Sequence, residues 1–388
     1  MAWNWTSPDW PRFTWDEQRL NRAEDAFLHR SGQFVGMFGH LREADHEQLL
    51  ITILSEEAMT TSEIEGELLN RDSVQSSIRR DLGLASDARR VSPGERGIGE
   101  VMVDLFRNYS DPLTEETLCD WHGRMMRGRD DLRDIGRYRT HAEPMQVVSG
   151  AMGRTKVHFE APPSERVSRE MAEFIRWFHR SGPAGAERLP AVTRAGIAHL
   201  YFECIHPFED GNGRVGRAVI EKALAQSIGQ PLLTSMAMTI LRRRREYYAN
   251  LELANKQTEV TDWLAWFAGV TLEAQERTLV QVQFLMDKTR YLDRWTSSAN
   301  PRQLAALLRM FAEGPEGFKG GLSAGKYVAI NKTTSATATR DLAELVESGA
   351  LTRTGEKRGT RYHLPIPLRP VARVEIDTRG DIVRATGP

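Results

Sequence analysis

The chain has 388 residues, with 52 Lys and Arg against 53 Asp and Glu and a formal net charge of −1, a balance that excludes a globally basic nucleic-acid binder but leaves a local basic patch open. At 40% hydrophobic and 27% charged residues it is too apolar for wholesale disorder and long enough for two or three domains. No run of about 18 apolar residues marks a transmembrane helix, residues 1–6 lack a leader pattern, and two cysteines, Cys119 and Cys204, exclude a disulfide framework or a multi-cysteine zinc site, so a cytoplasmic chain with no membrane partner is expected.

Residues 1–35 carry Trp3, Trp5, Trp10 and Trp15, rings expected to dock a short N-terminal segment onto a core. Apolar residues repeat near a helical period over 41–67, and Gly66 suits the left-handed turn past a helix end. Residues 87–99 are rich in turn formers and read as a loop and boundary. The stretch 100–275 is helical by pattern, with an amphipathic segment through Val167, Met171, Phe174 and Phe178 and further helices over 191–205 and 214–228. One hairpin interrupts it, with strands near 145–148 and 155–159 and a turn over 149–154. Residues 276–300 read as a connecting helix. Beyond them come helices over 322–330 and 335–348 and a two-strand wing over 349–364, the pattern of a winged helix-turn-helix.

Residues 206–217 hold the chemistry: His206-Pro207-Phe208-Glu209-Asp210-Gly211-Asn212-Gly213-Arg214-Val215-Gly216-Arg217. Gly211 and Gly213 let backbone approach a ligand, and the helix that follows offers its N-terminus to an anion. Arg214 and Arg217 repel each other and the helix dipole there, an unfavourable pairing unless an anion such as a polyphosphate is bound. Asp210 is a hard carboxylate suited to the Mg²⁺ of a nucleotide, and His206 is suited to general-base work near neutral pH.

This segment resembles the Fic family motif, His-x-Phe-x-Asp/Glu-Gly-Asn-Gly-Arg-x-x-Arg, at every specified position. The resemblance implies a protein adenylyltransferase that moves AMP from ATP to a Ser, Thr or Tyr hydroxyl of a protein. His206 would be the base, Phe208 the loop anchor and Asp210 the Mg²⁺ ligand. ATP would be held by Gly211, Asn212, Gly213, Arg214, Val215, Gly216 and Arg217, with Arg214 and Arg217 on the β- and γ-phosphates. Tyr247 and Asn255 are assigned to the adenosine pocket, the other reading being a helix with surface tyrosines. The hairpin residues Lys156, Val157, His158 and Phe159 resemble the flap that receives a target segment, or are simply an exposed hairpin. Gly136-Arg137-Tyr138-Arg139 before the hairpin adds to the likeness. His199 is read as structural.

Thr61-Ser62-Glu63-Ile64-Glu65-Gly66 matches the family's inhibitory pattern, Ser/Thr-x-x-x-Glu-Gly/Asn, which implies autoinhibition by Glu65 on Arg217. The tryptophan-rich start resembles an uncharacterised domain that often precedes Fic cores. The expected fold is therefore mainly α: an N-terminal helical domain over 1–95, a Fic helical core with a β-hairpin flap over 96–275, a linker helix over 276–300 and a winged-helix domain over 301–388. Residues 319–361 carry four more Lys and Arg than Asp and Glu, which suits DNA, while a protein-docking or dimerisation role stays open. Removal of AMP, transfer of another nucleotide, or a DNA-bound regulator that senses nucleotide are the alternative functions. The target protein could be the chain itself, and a homodimer is an open assembly.

Overall fold

In a computed structural model, residues 3–39, 42–85, 89–149, 156–231 and 234–385 are described. They form helices α1 (Asn21–Gly39), α2 (Glu43–Ile64), α3 (Arg71–Asp81), α4 (Pro93–Arg107) and α5 (Glu115–Met125), then strands β1 (Gln146–Ser149) and β2 (Lys156–Glu160). Helices α6 (Ser164–Arg180), α7 (Ala191–Ile205), α8 (Asn212–Ile228), α9 (Met236–Arg242), α10 (Arg244–Ala254), α11 (Thr261–Trp295), α12 (Pro301–Phe311), α13 (Ala324–Asn331) and α14 (Ser335–Glu347) follow. Strands β3 (Thr352–Thr354), β4 (Arg361–His363), β5 (Arg373–Ile376) and β6 (Ile382–Ala385) close the chain. The strands form three two-stranded sheets, each an antiparallel pair of neighbours. The fold is mainly α, as expected.

The chain divides into two compact units, residues 1–35, 50–275 and 372–388 in one and 36–49 with 276–371 in the other. In the first, α7 and α8 lie at the centre. Nearly every residue of α7 is buried, so it packs against the protein on all sides rather than along one stripe. Its N-terminal cap is Pro190, whose ring has no hydrogen-bond acceptor. The buried Glu24 of α1 does that job, accepting from the amides of Val192 at 3.0 Å and Thr193 at 2.7 Å. The tryptophans dock as expected. The indole of Trp10 donates to Glu170 at 2.9 Å and meets Tyr201 edge-on at 5.0 Å, and that of Trp5 donates to the Glu160 carbonyl at 2.7 Å.

In the second unit a buried cluster joins Tyr291, Leu307, Met310, Phe311, Tyr327, Leu342 and Leu345. Asp341 ties three of its helices together: its carboxylate accepts from Arg302 on α12 at 2.8 Å and from the Tyr327 hydroxyl on α13 at 2.9 Å. Strands β3 and β4 pair Thr352 with His363 and Thr354 with Arg361.

Several sequence boundaries are redrawn. Residues 89–99 are not all loop, because Ser92-Pro93-Gly94-Glu95 is a capping box with proline in the first turn and starts α4 at Pro93. The linker helix expected over 276–300 is the later part of α11, which runs from Thr261 to Trp295, and the second unit includes the chain from residue 276. Residues 372–388 group with the first unit, where the Val374 carbonyl accepts from Arg243 at 3.0 Å and Arg373 pairs with Glu246 at 2.9 Å. The helix expected over 41–67 spans Glu43–Ile64, and Leu41 lies outside the described residues; of the turn expected over 149–154, Ser149 ends β1 and residues 150–154 lie outside the described residues. Among the described residues, no helix is long and apolar enough to cross a membrane.

Candidate active site

The motif occupies the turn between α7 and α8. His206 caps the end of α7 at φ 51° and ψ 61°, a left-handed conformation strained for a residue with a side chain. Arg139, itself 2% exposed, holds it there, donating from Nε to the His206 carbonyl at 2.8 Å and from its backbone amide to the Pro207 carbonyl at 2.9 Å. Phe208 is fully buried, and its ring stacks on His122 with 4.0 Å between centroids. Asn212 closes the loop: its Oδ1 accepts from the Phe208 amide at 2.9 Å and its Nδ2 donates to the Phe208 carbonyl at 2.8 Å. Gly211 begins α8 at φ 78°, where a Cβ would meet the Met126 methyl at 2.7 Å. No side chain caps α8, so its first amides face the space beside the two arginines.

That space is filled by the end of α2. Gly66, at φ 89°, closes a complete Schellman turn, with the Gly66 amide donating to the Glu63 carbonyl at 3.0 Å and the Glu67 amide to the Ser62 carbonyl at 3.0 Å. The Glu65 carboxylate accepts from Arg217 Nη2 at 2.7 Å, and Thr61 takes the same guanidinium at 2.7 Å through its hydroxyl and 2.9 Å through its carbonyl. A Cβ on Gly213 would meet the Glu65 carboxylate, so any larger residue there would make that carboxylate shift. Both arginines are 4% exposed, and Arg217 Nη1 and Arg214 Nε have no hydrogen-bond partner. Two buried guanidiniums with unused donors at a helix start that no side chain caps have the chemistry to hold a polyanion.

Residues 112–224 match the model of the Fic/DOC family, and residues 3–84 match a family described as Domain of unknown function (DUF4172). The chain carries a Fic domain. The protein named Protein adenylyltransferase fic-1 of Caenorhabditis elegans is 25% identical over 201 residues, 50% of this chain and 35% of that protein. Its Caenorhabditis briggsae counterpart is 29% identical over 129 residues, 32% of this chain and 24% of that one. The chain thus spans about a third or less of the length of these curated relatives. A crystal structure of a Fic family protein from Desulfovibrio desulfuricans G20 superposes with a TM-score of 0.52 at 22% identity, over 92% of this chain and 99% of that one, a likeness of fold.

Within the Fic domain, burial, with the Arg139 charge nearby, pushes the His206 imidazole down to about 4, so it is neutral at physiological pH. Its Nδ1 lies 3.4 Å from the Glu203 carbonyl, which can only accept, so the free lone pair belongs to Nε2. The Asp210 carboxyl sits below its ordinary range: burial opposes ionisation, but the Gly211 amide at 2.6 Å and the Arg214 and Arg129 charges outweigh it. Arg129 Nη1 is 2.8 Å from it.

Besides Phe208, Gly211 and the two arginines, six of the expected site residues are buried in the structure. Asn212 commits both side-chain groups to the loop, leaving its backbone for an anion. Val215 is wholly buried, and Gly216 faces α7, where a Cβ would approach His199 Nδ1 at 3.0 Å. Tyr247 is 1% exposed and shares a 2.8 Å hydrogen bond with His199 Nε2, so it is an internal residue and His199 its structural partner. Asn255 is 7% exposed, and its carbonyl accepts from the Asn4 amide at 2.8 Å. On the hairpin, Phe159 is buried edge-on to Trp3 at 5.4 Å and presents nothing to a partner. Lys156 and His158 both reach Glu252, at 3.0 Å and 2.6 Å, while Val157 is exposed beside Val147 and Val148.

Sequence reading missed Glu67, Arg129, His122 and Glu203. Glu67 follows the inhibitory pattern directly, and that adjacency was the one signal in the sequence. Arg129 and His122 come from α5 and the turn after it, and no local pattern ties them to the loop. Glu203 stands three residues before His206. Burial pushes its carboxyl up to about 8, with Arg217 opposing and Glu65 adding to the rise.

Proposed function

We propose that this chain is an ATP-dependent protein adenylyltransferase held in an inhibited state by Glu65. The observation that carries this reading is the pair of buried motif arginines, with unused donors, at the uncapped start of α8 beside a neutral histidine. The curated relatives named adenylyltransferases support it. ATP is the substrate that suits these groups. Its tail would lie on Arg214 and Arg217, and its α-phosphate against the amides of residues 211–213. His206 Nε2 takes the proton of an incoming hydroxyl as its oxygen bonds the α-phosphorus. The bond to the β-phosphate breaks, and the two guanidiniums accept the charge of departing pyrophosphate.

Mg²⁺ fits the donor set in one respect. A single ionised carboxylate plus phosphate oxygens is a common magnesium arrangement, and Asp210 is the carboxylate present once Arg129 turns away. When bound, the ion neutralises phosphate charge. Among the described residues, no cluster of three acidic, histidine or cysteine side chains competes for that role.

Glu65 supports autoinhibition by occupying the cation meant for the terminal phosphate and by placing negative charge where the nucleotide would enter. The exposed face of the hairpin around Val157 would receive a target segment by strand pairing, and the chain itself is one candidate target. His206→Ala tests the central step. ATP binding should persist while AMP transfer is lost, and retained transfer would reject the histidine as base.

The second unit reads as a winged helix-turn-helix, with α14 the recognition helix. Ser335, Thr339 and Arg340 on α14 and Arg353, Lys357 and Arg358 on the wing are all exposed, an arrangement that favours phosphate contacts. DNA binding by the full chain should weaken steeply with salt, and salt-independent binding would argue for a protein partner instead.

A further inference from the structure

We infer that Glu67 is a second brake, closing Arg214 as Glu65 closes Arg217. This rests on the nucleotide reading of the site and deepens its regulation. The inhibitory pattern ends at Gly66 and assigns nothing to residue 67. Yet the Glu67 carboxylate accepts from Arg214 Nη1 at 2.7 Å, the same separation as Glu65 from Arg217. The Schellman turn explains how both contacts form. Two glutamates two residues apart on an ordinary helix would point to different sides. The positive φ of Gly66 turns the chain back, so Glu65 and Glu67 flank it and meet two arginines one turn apart on α8. A single helix end thereby covers both cations.

The second contact reaches further than the first. Arg129 lies 3.7 Å from Glu67 and 2.8 Å from Asp210, and Arg214 lies 3.9 Å from Asp210. Glu67, Arg214, Asp210 and Arg129 therefore alternate in sign around the loop, and each group that would meet a metal–nucleotide complex is already partnered within the chain. Glu67 is 39% exposed, so the Arg214 contact is open to solvent on one side and can be exchanged for an anion from solution. Removing Glu65 alone leaves Arg214 masked.

The test is calorimetric binding of a non-hydrolysable ATP analogue, without added metal, to wild type, Glu65→Gly, Glu67→Gln and the double variant. The double variant should bind about tenfold more tightly than Glu65→Gly, a factor that corresponds to one charged contact exchanged for another. AMP, which has no β- or γ-phosphate, should show no such gain. Glu67→Asp, one methylene shorter, should fall between Glu67 and Gln. Circular dichroism and Tm identify any variant that has failed to fold, and Glu67→Asp then stands in for Glu67→Gln. Equal affinities in Glu65→Gly and the double variant, or an equal gain with AMP, would overturn the second brake while leaving the transferase reading intact. If Glu65→Gly neither binds the analogue nor transfers AMP, both readings fall.

Discussion

Arg139 Nε and the carbonyl oxygen of His206 are 2.8 Å apart, and this contact helps hold His206 in a left-handed backbone conformation. The same guanidinium donates to Ser164 Oγ at 2.8 Å and to the Pro162 carbonyl. It faces carbonyls and a hydroxyl rather than a carboxylate, and burial lowers its pKa to about 10. Arg139→Met keeps most of the stem and removes every donor. The expected loss is about 2–4 kcal/mol of stability, since buried carbonyls are left unpaired. AMP transfer should fall about a hundredfold as His206 relaxes. Urea titration beside a transfer assay checks both, and unchanged transfer would show that His206 needs no clamp.

Asn212 supports the loop from inside. Asn212→Ala removes both bonds to the Phe208 backbone and should cost about 1–3 kcal/mol. Asn212→Asp keeps the acceptor for the Phe208 amide but sets a carboxylate oxygen against the Phe208 carbonyl in a site 2% exposed, so it should cost at least as much. If the side chain instead touched nucleotide, Asn212→Ala would raise the KM for ATP with little change in Tm.

Stability should fall on both sides of a maximum between about pH 4.5 and 6.5. Burial, the leading cause in each case, lowers His122 and His206 to about 4 and His199 to about 3. Unfolded histidine titrates near 6.5, so the unfolded chain binds more protons below that point and stability drops as pH falls. Burial raises Glu203 to about 8, and Glu221 is raised likewise, with the Thr234 hydrogen bond opposing. Unfolded carboxyls titrate near 4.3, so the folded chain holds extra protons above that point and stability drops as pH rises toward 8. Above pH 6.5 the two acids outweigh the three histidines, which are at most half protonated in the unfolded chain. Tm measured from pH 6.5 to 8 should therefore fall in wild type and fall less in Glu221→Gln. An equally steep fall in both would remove Glu221 from the account.

The mainly helical fold and the motif loop were legible because each has a local cause: a 3.6-residue apolar period, or contiguous residues that each need their neighbours. The Gly66 helix stop was legible for the same reason. Contacts made at a distance were not. Tyr247 and Asn255 look like pocket residues in a polar helix end, but Tyr247 is drawn into the core by its hydrogen bond to His199, 48 residues earlier. Phe159 sits on a hairpin that reads as exposed, and Trp3 covers it from the far end of the chain. Glu67 escaped notice because its partner is 147 residues away, and only the turn at Gly66 aims it. The capping box at Ser92 was visible in the sequence and was outweighed by the turn formers around it.

The central claim is that Glu65 masks a site that transfers AMP. Intact-mass spectrometry of Glu65→Gly incubated with ATP and magnesium, beside wild type and Glu65→Gly/His206→Ala, tests it most directly. The account predicts an added AMP residue on the Glu65→Gly chain or an added protein target, at least tenfold more than wild type and absent from the double variant. No adduct in Glu65→Gly, or an equal adduct without His206, would contradict it.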